Sequence, residues 1–152
     1  MSDPIVYDSA SPRFGLPFLF AGQAQKEAFV NEAHALTDAL LHCAIEGEAA
    51  APPASPTDGT SWLVGASPTG DWTGQAGKIA CRQAGNWIFV PPRDGMRLLD
   101  RSNGQERRYN GGWAAPSAPA DPTGGTTIDA EARTAIAALI AALRTAGVFP
   151  SA

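Results

Sequence analysis

A chain of 152 residues is the size of one ordinary domain with appendages, long enough for a core but not for a large one. Its net charge of −4 lacks the basic excess of a nucleic-acid footprint, and its two cysteines have neither metal-knuckle spacing nor the number of a secreted disulfide framework. Charged residues are only 17% against 16 glycines and 13 prolines, and so few charges on a globular chain suggest that something else covers part of its surface.

Residues 1–22 begin Met1-Ser2-Asp3-Pro4, without the basic and apolar stretches of a signal peptide, which predicts a protein made in the cytoplasm that stays soluble. Pro4, Pro12 and Pro17 forbid a regular helix, yet Phe14, Leu16, Phe18, Leu19 and Phe20 are large and apolar. An extended arm of that kind has to bury these groups against its own domain or against a neighbouring copy.

Residues 24–45 read as a helix, since Phe29, Ala33, Leu36, Leu40 and Ala44 recur at steps of three and four. Glu27, Asn31, Asp38 and Glu46 fall opposite, and Gly47 supplies a stop. Asn31 as an N-cap would shorten the helix to 32–45; both boundaries stay open. Residues 49–60 form a proline-rich linker.

From Ser61 to Trp113 the pattern changes to short strands at 61–64, 78–82, 86–90, 96–99 and 106–109, separated by Gly, Asn and Asp turns. This predicts a small antiparallel meander or barrel. A second linker, 114–127, leads to a helix over about 128–147 with Thr127 or Asp129 as N-cap and Gly147 as its stop. Ala132, Ile136, Leu139, Leu143 and Ala146 alternate at four and three, with Ile140 beside them, as in about two heptads of coiled coil. The apolar stretch Ala135–Leu143 is too short to span a bilayer. The fold class is therefore α+β: an N-terminal arm and helix (1–48), a small antiparallel β meander or barrel (61–113) and a C-terminal oligomerising helix.

Chemistry finds little to work with. His34 and His42 fall two turns apart on one predicted helix and cannot share a metal directly. Cys43 adjoins His42 but points elsewhere, and with Cys81 it reads as a small apolar filler; whether the two are bonded stays open. Glu46 and Glu48 lie at a helix end in solvent, and Ser61 and Ser67 lack a nucleophile elbow. The expectation is a protein with no catalytic residues, no metal and no cofactor. Exposed tryptophans are how many proteins stack sugar rings. Trp62 and Trp87 sit in apolar runs and read as core, whereas Trp72 and Trp113 beside glycine turns, with Tyr109 and Arg107, could form such a site. The plainer reading makes these tryptophans the core of a small sheet.

Residues 14–33, which include Gly22-Gln23-Ala24-Gln25-Lys26-Glu27, together with Gly59-Thr60-Ser61-Trp62-Leu63-Val64-Gly65, Gly70-Asp71-Trp72-Thr73-Gly74 and Gly85-Asn86-Trp87-Ile88-Phe89-Val90, carry a resemblance. Over about residues 10–113 the chain resembles an otherwise uncharacterised family found in prophages, tailed phages and gene transfer agents of alphaproteobacterial type. The resemblance implies a structural, host-contacting part of a virus-like particle, a head spike or tail fibre. It supplies no catalytic residues, and it leaves the C-terminal helix outside.

The residues fit an assembly. Gln23, Gln25, Lys26, Glu27 and Asn31 make a polar string after an apolar arm, suited to hydrogen bonds across a subunit interface. Residues 1–60 hold eight acids and two bases, residues 61–120 seven bases and four acids, a split that suits head-to-tail contact between copies and equally suits ordinary surface charge without a partner. The expected interface comprises Phe14, Leu16, Phe18, Gln23, Gln25, Lys26, Glu27, Asn31, Ile136, Leu139 and Leu143. The expected partners are sister chains in a trimer or pentamer, other capsid, fibre or tail proteins, and host envelope polysaccharide, with no nucleic acid and no membrane insertion. The rival is a monomeric carbohydrate-binding module; a hydrolase of envelope polymer finds no Asp or Glu to carry it.

Overall fold

The computed structural model describes Leu16, Pro17, Leu19, Gly22, Ala24 and residues 26–151. Helix α1 spans Lys26–Leu40, and eight short strands follow: β1 Ala44–Ile45, β2 Glu48–Ala49, β3 Ser61–Val64, β4 Ile79–Gln83, β5 Asn86–Val90, β6 Arg97–Asp100, β7 Gln105–Tyr109 and β8 Trp113–Ala114. Helix α2, Ala130–Thr145, completes an α+β chain.

The strands form two four-stranded sheets, ordered β1-β6-β7-β8 and β2-β3-β4-β5. Each has an antiparallel meander at its centre and one parallel pair at an edge, β1 on β6 and β2 on β3. They are mixed sheets, and among the described residues they do not close into a barrel. The expected meander is thus present, divided in two and extended by three two-residue strands that have no periodicity to read.

Residues 43–49 join the sheets. Cys43 and Ile45 carbonyls accept from Leu99 and Arg101 N–H in the first sheet; Glu46 N–H then donates to Ser61, and Gly47 and Ala49 carbonyls accept from Leu63 and Gly65 N–H in the second. One extended segment changes sheets within a few residues, and Gly47, buried at φ 157, makes the transfer. A Cβ there would face Ser102 and the Trp62 ring, and that φ is one an L side chain rarely adopts.

This transfer corrects the expected helix end. α1 stops at Leu40 because His42 takes the left-handed conformation, φ 49, five residues before Gly47. Neither His42 nor Cys43 is helical, and Ala44 and Ile45 are already strand. At the other end Asn31 lies inside the helix, so the longer boundary is the nearer one.

The alternation of strand residues sorts the core into two clusters. Ile45, Leu63, Ile79, Cys81 and Val90 meet Met96, Leu98 and Leu36 between the sheets and under α1. Val64, Trp72 and Ala80, with Trp62, Trp87, Phe89 and Ala49, cover the other face of the second sheet. A sheet buried on both faces shows continuous apolar runs, which is why Trp87-Ile88-Phe89-Val90 contains no polar alternation.

Helix α2 begins where Asp129 accepts from Ala132 N–H at 2.8 Å, an N-cap. It ends in a Schellman motif: Gly147 N–H donates to Arg144 O and Val148 N–H to Leu143 O, with Gly147 at φ 73. Beyond it the chain is stitched to the first sheet. Glu106 N–H donates to Gly147 O at 2.7 Å, the Gln105 amide donates to Val148 and Pro116 carbonyls, and Ser151 bonds Asn103 O.

Candidate functional site

Helix α2 meets the domain through its C-terminal half. Ile140 is buried and Leu143 half-buried, while the residues 130–139, Arg133 excepted, are exposed. Ile136 and Leu139 of the predicted seam are 43% and 60% exposed, beside a row of alanines. The helix therefore presents apolar surface to water. At the other end of the chain Lys26, Glu27 and Asn31 are exposed on α1, and Leu16 packs half-buried on the main core cluster. Phe14, Phe18, Gln23 and Gln25 lie outside the described residues.

The four residues expected to hold a sugar are not brought together. Trp72 has 0% exposure and fills the second cluster, edge-on to Trp87 at 5.1 Å; it cannot stack a ligand, and its expected exposure is corrected. The 3₁₀ turn Gly70–Trp72 drops the indole onto the sheet. Tyr109 and Trp113 pack edge to face at 5.3 Å on the first sheet, where the Trp113 indole N–H donates to Gly77 O at 3.0 Å. Arg107 is bound to carboxylates, Glu48 at 2.7 Å and Asp100 at 2.6 Å. Burial opposes the Arg107 charge, but Glu48 and Asp100 more than offset it, so its pKa lies above the ordinary arginine value.

Trp87, read from sequence as core, packs half-buried on the second cluster and also lines a groove of about 500 Å³ with Phe89, Ile88, Pro91, Leu36, Gln75 and Glu32. The guanidinium of Arg82 lies 5.1 Å from its ring centroid, within cation–π range. Aromatic side chains beside an amide and a carboxylate suit a polar ligand with apolar faces. The signal that could have found it is period-two alternation: Trp87 and Phe89 share one face of β5, and Ile88 and Val90 take the other.

A second cavity, about 230 Å³, lies under the end of α1 and is lined by Asp38, Cys43, Ser61, Cys81, Arg82 and Arg101 among others. Its two cysteines are free thiols. Burial and then the neighbouring Cys81 push the Cys43 thiol up to about 11. Burial also raises Cys81, against a hydrogen bond from Ser61, with Asp38 adding to the rise. Both are held protonated at neutral pH, and a protonated thiol is a poor nucleophile. Arg101 and Arg82 are turned to Glu46 at 2.8 Å and Asp58 at 3.9 Å. Among the described residues no three His, Cys, Asp or Glu side chains gather as metal ligands, and no helix is long and apolar enough to cross a membrane.

Residues 30–114 match a family described as "Protein of unknown function (DUF2793)". The match spans more than half of the 152 residues, and the chain belongs to this family. The matched stretch runs from within α1 to the end of β8, taking in both sheets and leaving α2 outside. No curated protein matches the chain.

Proposed function

We propose that this chain is a structural subunit of a phage-like particle, a head spike or tail fibre, that acts by assembling with copies of itself rather than by catalysis. The observation that carries the reading is the apolar face of α2: Ile136 and Leu139 stand exposed on a helix that packs on the domain through Ile140 and Leu143 and is stitched to it just beyond its C-terminal end. Fully burying such a side chain from water gains roughly 1.5–3 kcal/mol; with about half of each exposed, a parallel sister helix that covers both at coiled-coil spacing gains about half of that per side chain. The arm residues Phe14, Leu16 and Phe18 and the polar residues Gln23, Gln25, Lys26, Glu27 and Asn31 belong to the same proposed interface. The resemblance of residues 10–113 to phage and gene-transfer-agent proteins supplies the particle, its capsid, fibre or tail partners and a role in host-surface attachment.

Light scattering of the full chain tests it. The expected result is a trimer or pentamer that Ile136→Asp with Leu139→Asp converts to a folded monomer; a wild-type chain that is monomeric at 100-fold dilution and at high concentration alike overturns the reading. A second reading, a monomeric carbohydrate-binding module, is favoured by the Trp87–Phe89 groove. Its mark would be glycan binding by a monomer, lost in Trp87→Ala.

A further inference from the structure

The antiparallel register of β6 and β7 sets Arg97 directly opposite Arg108, both exposed on the outer face of the first sheet. Side chains so placed have Cβ atoms about 5 Å apart, and like charges there destabilise a sheet. Glu106, the carboxylate of this hairpin on that face, stands opposite Leu99 and among the described residues pairs with Arg97, at 3.5 Å with both side chains more than half exposed. Arg108 has no ion-pair partner among the described residues. The other arginines of this hairpin, Arg101 and Arg107, are matched to Glu46, Glu48 and Asp100. A fold that neutralises those two and opposes the remaining pair leaves a surface that gains from an anionic partner, and such local conflicts collect at functional surfaces.

The same chain carries the complement. Glu27, Asn31, His34 and Asp38 form one exposed stripe along α1, opposite the buried Leu36. Glu27 and Asn31 are one turn, about 6 Å, apart, close to the spacing of the two arginines. Asp38 lies about 16 Å from Glu27 along the helix, too far for one arginine pair to hold both.

We infer that Arg97 and Arg108 of one copy clasp Glu27, with Asn31 beside it, on α1 of the next copy. This deepens the proposed assembly and rests on it: α2 would bring copies together, and this contact would set how neighbours turn relative to one another. The two surfaces differ, so the contact is heterologous, and a heterologous contact is what a closed ring of three or five requires.

The test is a charge exchange in the full chain, read by light scattering and sedimentation at physiological salt, with circular dichroism confirming each fold. Arg97→Glu with Arg108→Glu should weaken association at least tenfold, Glu27→Arg should do the same, and all three together should restore it. Asp38→Arg should leave the mass unchanged. If the double arginine variant unfolds, Arg97→Gln with Arg108→Gln serves in its place, with partial loss expected. Unaltered assembly in the charge-reversed chains overturns this contact, as does rescue by Asp38→Arg instead of Glu27→Arg. Unaltered assembly with loss of dextran sulfate binding also overturns it, in favour of an anionic polymer. Dissociation by Ile136→Asp with Leu139→Asp while charge reversal does nothing defeats this contact alone, whereas a monomeric wild-type chain defeats both readings.

Discussion

Arg107 Nη1 lies 2.7 Å from Glu48 Oε2, so a side chain of the first sheet grips the opening strand of the second. The other guanidinium nitrogen, Nη2, lies 2.6 Å from Asp100 Oδ2. That ion pair neutralises the carboxylate at Oδ2, while Ser102 N–H and Oγ donate to Oδ1. Asp100 is wholly buried, and the guanidinium is its only cation among the described residues.

Replacing Arg107 by Met therefore leaves a buried charge uncompensated, which costs about 3–5 kcal/mol. Most of that is the Asp100 part, since Glu48 is half exposed and an exposed pair contributes about 1 kcal/mol or less. Chemical denaturation should show the loss in Arg107→Met, and Asp100→Asn in the same chain should recover much of it. A variant within about 0.5 kcal/mol of wild type would show that the pair does not hold the sheets.

Cys43 makes stability depend on alkali. Its folded pKa of about 11 lies above the ordinary 9.0, so the folded state keeps a proton that the unfolded chain releases. The contribution is complete below about pH 9 and is lost as pH rises to 11, where the loss is roughly 2 kcal/mol. Melting curves from pH 8 to 11 should fall more steeply for wild type than for Cys43→Ala. The same burial should make both thiols slow to react with an aromatic disulfide reagent at pH 8 until denaturant is added; prompt reaction in the folded protein contradicts the protonated cavity.

Trp72 is the largest fully buried side chain. Trp72→Ala should cost about 3–5 kcal/mol through lost burial and the cavity left against Trp87. A surface tryptophan would give a change near zero. Trp72→Phe should fall between the two, since it keeps part of the edge-on packing.

Asp129 fixes the start of α2 through its bond to Ala132 N–H. Asp129→Ala should cost about 1 kcal/mol of helix stability, seen as faster amide exchange in the first turn. If α2 is the element that associates, the same variant should also weaken the oligomer; unchanged exchange would mean that packing, not the cap, sets the boundary.

Much of the fold was legible because it is written in neighbouring residues. Alternation and glycine turns placed β3, β5, β6 and β7 within a residue or so, and Gly147 marked the end of α2 by its own chemistry, while of the two N-cap candidates, Thr127 and Asp129, the structure takes Asp129. The residues of the proposed interface were legible as types only: the apolar character of Ile136 and Leu139 is in the sequence, and their exposure is not. The exposure of Trp72 was misread for a related reason. A tryptophan beside glycines is compatible with a loop tip or with a 3₁₀ turn that folds inward, and Trp72 takes the second course because Val64 and Ala80 leave room for an indole.

By itself the sequence determined an α+β chain with a strand-rich centre between two helices, because hydrophobic period, caps and turns act within a few residues. Tertiary structure alone decided that residues 43–49 change sheets, that His42 ends α1, that Cys43 and Cys81 share a cavity and that Arg97 opposes Arg108. Each depends on partners from about 10 to more than 50 residues away, and a two-residue strand has no period of its own. Its place is set by the edge it satisfies, and that edge exists only once the sheets have formed.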